Sequence, residues 1–320
     1  MALRVGIVGT GIMGGYHTRV ASMSDRCQLV GIFDADSVRT TAIATQYGIT
    51  AFTSLAELCA AVDVAVVATP TIIHAQIARE CLEAGCHVLL EKPIAVTVAD
   101  GEMLIETAKR LNRVLMIGLS ERFNPATLAL QAQVKPDEIF AIELQRCAPT
   151  QGRDRSADVI FDLMIHDLDL ALAFTQSKVV EVQATGHCAK NELIDHAVAL
   201  LRFANGATAT ITCSHVSPQR KRCASLLTRG PQYTIDFGTR KIEKHSYGEY
   251  LTGPDGLPQF GTKVETIDVP EGDALTQQLH FLLAATQQQP IPTHLADSGQ
   301  EALRLVLEIH EQITGQLNCS

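Results

Sequence analysis

The sequence predicts an α/β chain in two parts. The first is a doubly wound parallel sheet, and the second is an α+β domain on a largely antiparallel sheet. Three observations carry this. Short apolar runs alternate with helix-length amphipathic segments as far as Gly118. The first apolar run ends directly in a glycine-rich turn. Beyond Gly118 the alternation gives way to longer strand-like runs, two of them joined by Asn205-Gly206, a strong hairpin signal.

Leu3–Val8 is short, apolar and closed by glycine, as a buried strand is. A helix follows over Ile12–Met23, then a strand over Gln28–Phe33 closed by Asp34. Ser37–Tyr47 reads as a helix stopped by Gly48. Ser54-Leu-Ala-Glu57 has the form of a capping box. Asp63–Ala68 is almost wholly β-branched or small, as in a strand covered on both faces. A helix from about Ile72 to Ala84 ends at Gly85; strand His87–Leu90, helix Thr97–Leu111 and strand Val114–Ile117 complete the alternation.

The second part opens with a helix over 124–134, strand Ile139–Leu144 and helix Ala157–Phe174. Strands are expected at Val179–His187, Ala197–Phe203, Ala207–Cys213, Ala224–Leu227 and Tyr233–Phe237. The Gly-, Pro- and Tyr-rich stretch 245–270 reads as loops and edge strands, and helices near 273–288 and 298–315 finish the chain. The expected domains are residues 1–119 and 120–320, with the C-terminal helix allowed to pack back on the first.

Of the 320 residues 46% are hydrophobic and 19% charged, which supplies ample core. A net charge of −9 disfavours nucleic acid or an anionic membrane as the main partner. No apolar run reaches the roughly 18 residues needed to span a bilayer. Arg4 comes too early for a secretory leader. The nine cysteines are odd in number and lack framework or zinc spacing, even at Cys81 and Cys86; they read as reduced, buried thiols of a cytoplasmic protein. No metal site is expected.

Gly9-Thr10-Gly11-Ile12-Met13-Gly14 fits G-x-G-x-x-G between a strand and a helix. Gly9 permits the tight turn, Gly11 lets a pyrophosphate approach, and Gly14 lets helix and strand pack closely. The free N–H groups of the helix start attract phosphate. Asp34 ends the second strand at the usual spacing of about 20 residues, where a carboxylate accepts from ribose hydroxyls; Asp36 could share that role. No Arg follows Asp34 directly, so a Rossmann domain for NAD is expected and NADP is disfavoured. FAD lacks a second signature here. Thr69 ends the strand 63–68 and faces the cofactor by position; His74, one turn on, is either a cofactor contact or a packed side chain.

Glu91-Lys92-Pro93 follows the next strand. Pro93 stops the strand, so Lys92 either projects into the cleft, where an ammonium can stabilise alkoxide character, or is an ordinary surface lysine. Asp162 and His166, four apart, share a helix face, where a histidine can take a hydroxyl proton and a carboxylate can orient it. The alternative is an amphipathic helix with solvated acids. Asp167 points away from His166, and Asp169 completes only a loose set, which argues against a metal. The basic run Arg220-Lys221-Arg222 is either a candidate for a diphosphate or, as such runs more often are, a solvated face.

The order G-T-G-I-M-G, Asp34, E-K-P at 91–93 and D-L-M-I-H at 162–166 resembles the glucose-fructose oxidoreductase, inositol dehydrogenase and MocA (Gfo/Idh/MocA) family over essentially the whole chain. The resemblance implies that Lys92 and His166 flank a reacting hydroxyl with Asp162 in support. It also implies that Glu91 and Lys92 lie by the cofactor, and that an open-faced sheet mediates a homodimer or homotetramer. Gly118-Leu-Ser-Glu-Arg-Phe-Asn-Pro125 with Ile165-His-Asp-Leu-Asp169 is similar to the branch containing UDP-N-acetylglucosamine 3-dehydrogenases, which usually has His where this chain has Ser120. That implies Arg122 and Asn124 for sugar hydroxyls and Arg153 and Arg155 for a diphosphate. The expected reaction is oxidation of a secondary hydroxyl of a sugar or nucleotide sugar by NAD. A free-sugar or inositol dehydrogenase and a non-catalytic NAD-binding regulator are the rivals; retention of Lys92, Asp162 and His166 argues against the regulator.

Overall fold

The structure is a computed structural model, and it describes residues 2–149, 158–190, 192–252, 257–292 and 294–317. In chain order its elements begin β1 (Leu3–Val8), α1 (Ile12–Met23), β2 (Cys27–Phe33), α2 (Ser37–Tyr47), β3 (Thr50–Ala51), α3 (Leu55–Ala61) and β4 (Val64–Val67). There follow α4 (His74–Glu83), β5 (His87–Glu91), α5 (Val98–Arg110), β6 (Leu115–Gly118) and α6 (Pro125–Gln131). Next come β7 (Ile139–Cys147), α7 (Ile165–Thr175), β8 (Val179–His187), β9 (His196–Phe203), β10 (Thr208–Ser214), β11 (Lys221–Thr228) and β12 (Gln232–Asp236). The chain closes with β13 (Lys241–Thr252), β14 (Pro258–Ile267), α8 (Ala274–Ala285) and α9 (Asp297–Leu317).

These elements form two compact units. The first takes Met1–Phe123 and Asp273–Arg304; the second takes Asn124–Gly272 and Leu305–Ser320. The segment Asp273–Arg304 groups with the first unit because of its apolar face. Leu279, Leu282 and Leu283 of α8 join Val5, Ile7, Ile32, Val66 and Met116 in one buried cluster. Phe281 of α8 also meets Phe123, ring centroids 5.3 Å apart. Asp273 starts α8 by accepting from the Thr276 N–H at 3.0 Å.

The first unit holds a six-stranded parallel sheet in the order β3-β2-β1-β4-β5-β6. That is the doubly wound order, with the switch point between β1 and β4. Its register matters for function. Val8 pairs with Phe33 and with Val67, Val67 with Leu90, and Glu91 with Gly118. The strands therefore end level, and Gly9, Asp34, Thr69 and Lys92 emerge along one edge of the sheet.

The second unit holds an eight-stranded sheet in the order β14-β13-β12-β11-β7-β10-β9-β8. All pairs are antiparallel except β7 with β10. On β7, Ile142, Leu144 and Arg146 are buried on the side of α7, whereas Glu143 and Gln145 face the other way. That other face, with Thr210, Thr212, Ser225 and Thr234, carries no helix among the described residues of the unit; a cavity of about 530 Å³ runs along it.

Local signals fared unevenly. Asn205-Gly206 does turn β9 into β10: Gly206 has φ +87° and the Phe203 and Ala207 backbones close the hairpin at 2.8 Å. The stretch 245–270, expected as loops and edge strands, is largely one long hairpin, β13 with β14, with β14 at the border of the sheet. Its glycines serve the pairing: a Cβ on Gly248 would lie 3.0 Å from the Gly261 backbone, and the register slips between Tyr247 and Tyr250. The expected helix 157–174 opens with a π-helical turn over Ile160–Met164 and becomes α only at Ile165.

Gly14 sets how closely α1 approaches β1. A Cβ there would overlap the Gly9 carbonyl oxygen, a backbone atom that cannot swing aside. Gly14→Ala is therefore expected to lower unfolding free energy by about 1–3 kcal/mol, read by urea denaturation.

Candidate active site

In the first unit the glycine turn after β1 is shaped mainly by its backbone. Gly9 has φ +95° and donates its N–H to the Phe33 carbonyl at 2.8 Å, tying the turn to the end of β2. Gly11 caps α1 without a side-chain bond, and a Cβ there would meet nothing within 4 Å. The space over Gly11 is what a phosphate group requires. Ile12, the first residue of α1, is 74% exposed, an apolar side chain left in the open at the nucleotide end.

Asp34 is held by the same turn. Its Oδ2 accepts from the Thr10 N–H at 2.6 Å and the Thr10 hydroxyl at 2.9 Å, and its Oδ1 accepts from the Asp36 N–H at 2.9 Å. Burial pushes this carboxyl up, but the Asp36 and Thr10 hydrogen bonds and the nearby Arg39 outweigh it and hold Asp34 below the usual carboxylate range. Asp36 is turned to structure: it caps α2 by accepting from the Arg39 N–H at 3.0 Å. Arg39 donates to Thr10 Oγ1 at 3.1 Å and lies 3.8 Å from Asp34. Arg39 was not foreseen, although an Arg in the helix after the ribose acid is a readable signal.

Further along the edge, the Thr69 hydroxyl is buried and makes no hydrogen bond among the described residues. His74 is buried, with Nδ1 2.8 Å from the Pro93 carbonyl and Nε2 2.8 Å from the Thr69 carbonyl. It is thus a packed side chain whose two nitrogens are both turned to backbone. Glu91 is also buried. Its Oε1 lies 2.7 Å from His17 Nε2 of α1, and its Oε2 accepts from the Lys92 N–H at 3.3 Å. Lys92 itself is half-buried and precedes a cis peptide to Pro93. His17 carried no sequence signal, being a lone histidine inside a helix. Arg122 is half-buried in the short turn Ser120–Phe123.

In the second unit the π-helical turn leads into α7. Its entry is fixed by Asp158, which accepts from the Ile194 N–H at 2.9 Å and meets His310 Nε2 at 2.9 Å; Phe161 then packs on the His310 ring, centroids 5.4 Å apart. Asp162 has its carboxylate half exposed, with Nε2 of the buried His215 3.6 Å from Oδ2. His166 follows four residues on and is half-buried. π-helical turns widen the backbone spiral and recur at functional sites. The next residue, Asp167, does point elsewhere: its Oδ1 accepts from Arg146 Nε at 2.9 Å and Nη2 at 2.7 Å, both partners almost fully buried. Beside them the Cys213 thiol, pushed well up by burial and then by Asp167, is an inert core group.

Asn124 is spent largely on structure. Its Oδ1 caps α6 at the Ala126 N–H, 3.1 Å, and its Nδ2 donates to the Phe237 carbonyl at 3.2 Å. Arg153 and Arg155 lie outside the described residues. Among the described residues no cluster of three or more His, Cys, Asp or Glu side chains could hold a metal ion, and no helix is long and apolar enough to cross a membrane.

Residues 3–119 match the model of an oxidoreductase family with an NAD-binding Rossmann fold, and residues 144–239 match the GFO/IDH/MocA C-terminal domain. The chain is 33% identical to the UDP-N-acetylglucosamine 3-dehydrogenase of Acidithiobacillus ferrooxidans over 90% of each chain. It is 28% identical to an inositol 2-dehydrogenase of Rhizobium meliloti over 67% of this chain and 69% of that one. A solved structure of the Acidithiobacillus enzyme superposes with a TM-score of 0.89, covering 98% of both chains at 29% identity.

Two predictions follow from the paired charges. Arg146→Ala leaves Asp167 buried without its guanidinium and is expected to cost about 3–5 kcal/mol of stability, read by urea unfolding. Asp34 is ionised more readily in the fold than in the unfolded chain, so its contribution exists above its ordinary value of about 3.9 and is lost as pH falls through the lower folded value. The stability gap between the wild type and Asp34→Asn should therefore be constant from pH 8 to 5 and narrow only in stronger acid.

Proposed function

The chain belongs to the Gfo/Idh/MocA oxidoreductase family, and we propose that it oxidises a secondary hydroxyl of a nucleotide sugar, UDP-N-acetylglucosamine at C3, with NAD. The observation that carries this reading is the likeness to a UDP-N-acetylglucosamine 3-dehydrogenase along 90% of both chains. The residues the chemistry asks for are all present.

The residues of the first unit fit a nicotinamide dinucleotide: the space over Gly11 for the pyrophosphate, and the ionised Asp34 for the ribose hydroxyls. Thr69 has a hydroxyl to offer it. Bound NAD supplies the hydride acceptor. NAD is proposed over NADP because Asp34 would repel a 2′-phosphate. Arg39, 3.8 Å from Asp34, is the group through which NADP would be tolerated. Asp34→Ala should therefore move preference toward NADP, measured as the ratio of kcat/KM for the two cofactors.

His166 removes the hydroxyl proton as the hydride leaves the carbon, and Lys92 offers its ammonium to the oxygen as negative charge develops there. Asp162 orients His166 or holds a neighbouring hydroxyl. Arg122 is assigned to the substrate, as are Arg153 and Arg155, whose guanidinium groups suit a diphosphate. The uncovered face of the eight-stranded sheet is proposed as the contact of a cytoplasmic homodimer or homotetramer. A free-sugar or inositol substrate is the second reading, favoured by the likeness to an inositol 2-dehydrogenase.

The test is to incubate the protein with UDP-N-acetylglucosamine and NAD, trap the ketone and follow NADH absorbance. Substrate-dependent NADH is expected, reduced about 10²–10⁴-fold in Lys92→Ala and His166→Ala. NAD binding without turnover of the nucleotide sugar, but with turnover of inositol, would move the assignment to the second reading. Near-normal turnover in either variant would remove that residue from the chemistry.

A further inference from the structure

The turn that carries Asp162 is π-helical, and the Ile165 N–H reaches back to the Ile160 carbonyl. A helical spiral advances about 100° per residue, so the extra residue that a π-turn takes in rotates everything after it by about that angle. The form of this turn therefore sets the direction in which His166 leaves the spiral. Such turns are rare, and this one is braced from outside. Two residues of the segment meet the same side chain, His310 of α9. Asp158, just ahead of the turn, has Oδ2 2.9 Å from His310 Nε2, and its Oδ1 accepts from the Ile194 N–H, also at 2.9 Å. The Asp158 carbonyl accepts in turn from the Asp162 N–H at 3.0 Å. Phe161, the neighbour of Asp162 inside the turn, packs against the imidazole, centroids 5.4 Å apart. A carboxylate only accepts, so Nε2 is the donor; a neutral ring with its proton there serves as well as a charged one.

We infer that His310 is a positioning residue: one ring braces Asp158 and Phe161 together and thereby fixes where Asp162 and His166 stand. The inference rests on the roles read for Asp162 and His166 above. The brace is firm because α9 is itself keyed to β8. Gln312 accepts from the Ala184 N–H at 3.0 Å and donates to the Val182 carbonyl at 3.1 Å, and Gln316 donates to the Ala184 carbonyl at 2.9 Å. Ile309 and Ile313, on either side of His310 in the helix, are fully buried. A Cβ on Gly186 of β8 would come within 3.0 Å of the Ile313 side chain, so the absence of one there lets α9 settle on the strand. These contacts set both the height and the rotation of α9, and hence the place of the imidazole. The His310 side chain is 35% exposed, so it is not there to fill the core. What a histidine adds at that point is a donor and a flat ring on one side chain, and the segment ahead of His166 uses both.

The brace is tested first without activity, by hydrogen exchange on the full chain. In His310→Ala the backbone amides of the π-turn should exchange about tenfold or more faster, the scale of one lost hydrogen bond to a charged group, while those of β1 keep their rates. Unchanged exchange at the turn overturns the inference. Should His310→Ala fail to fold, Phe161→Leu removes the ring contact from the other side and is read in the same way. Kinetics with UDP-N-acetylglucosamine and NAD then test the positioning. Counted per NAD-binding molecule, kcat should fall by about 10–100-fold in His310→Ala, the scale of a displaced reacting group. NAD affinity should stay within about threefold, because the glycine turn belongs to the other unit. His310→Phe keeps a ring without a donor and should also be impaired; His310→Gln returns a donor near the Nε2 position and should recover most of the loss. A purely structural role would lower the yield of folded protein and leave kcat per NAD-binding molecule unchanged, and that result overturns the positioning role. Faster exchange at the turn, in a protein whose unaltered form oxidises neither UDP-N-acetylglucosamine nor inositol, would mean that the assignment of function has failed while the brace stands.

Discussion

The approach of α1 to β1 at Gly14 is the constraint on which the first unit rests. With no side chain at Gly14, the helix start comes down onto the Gly9 carbonyl, and the turn between them is forced to present its N–H groups outward. The consequences run sideways through the sheet. Gly9 bonds to the end of β2, Thr10 bonds to Asp34, and the level ends of β4 and β5 carry Thr69 and Lys92 to the same edge. A single close contact between two glycines thus fixes where the N–H groups of the turn and the Asp34 carboxylate stand.

Charge inside each unit is managed by pairing. Asp167 has Arg146, and the Glu91 carboxylate lies 2.7 Å from a ring nitrogen of His17. Replacing either partner of such a pair strands the other, which is why buried pairs are fragile to single changes even where they add little net stability. Their value here is positional. Arg146 draws Asp167 into the core, and the half-exposed Asp162 and His166 are left on the other side of the spiral. Two acids five residues apart in one segment thereby acquire opposite duties.

Much of this was legible beforehand where a local rule suffices. The β-α alternation, the glycine turn, Asp34 at the end of β2, Asn205-Gly206 and the capping residue Ser54 each follow from chemistry within a few residues, and the structure has them in place. What escaped depended on partners remote in sequence. His74 and its two carbonyls, His17 with Glu91 74 residues away, and Asn124 reaching Phe237 113 residues on could not be paired by any pattern in one chain. The π-helical turn escaped because its residues, Ile160–Met164, have the composition of an ordinary helix. In the long hairpin the edge strands were expected but their extent was not, because glycine signals turns more often than bulges.

The two borders of the eight-stranded sheet are finished differently. Along β8 the outer peptide groups of Val182 and Ala184 are taken by Gln312 and Gln316 of α9, which closes that stretch to another strand. Along β14, the other border, Lys263 and Glu265 stand 3.1 Å apart. A flat border of this kind invites sheet-to-sheet fusion, and charged side chains on it are the usual deterrent. Growth of the sheet from molecule to molecule is thus hindered at one margin by side-chain amides and discouraged at the other by charge.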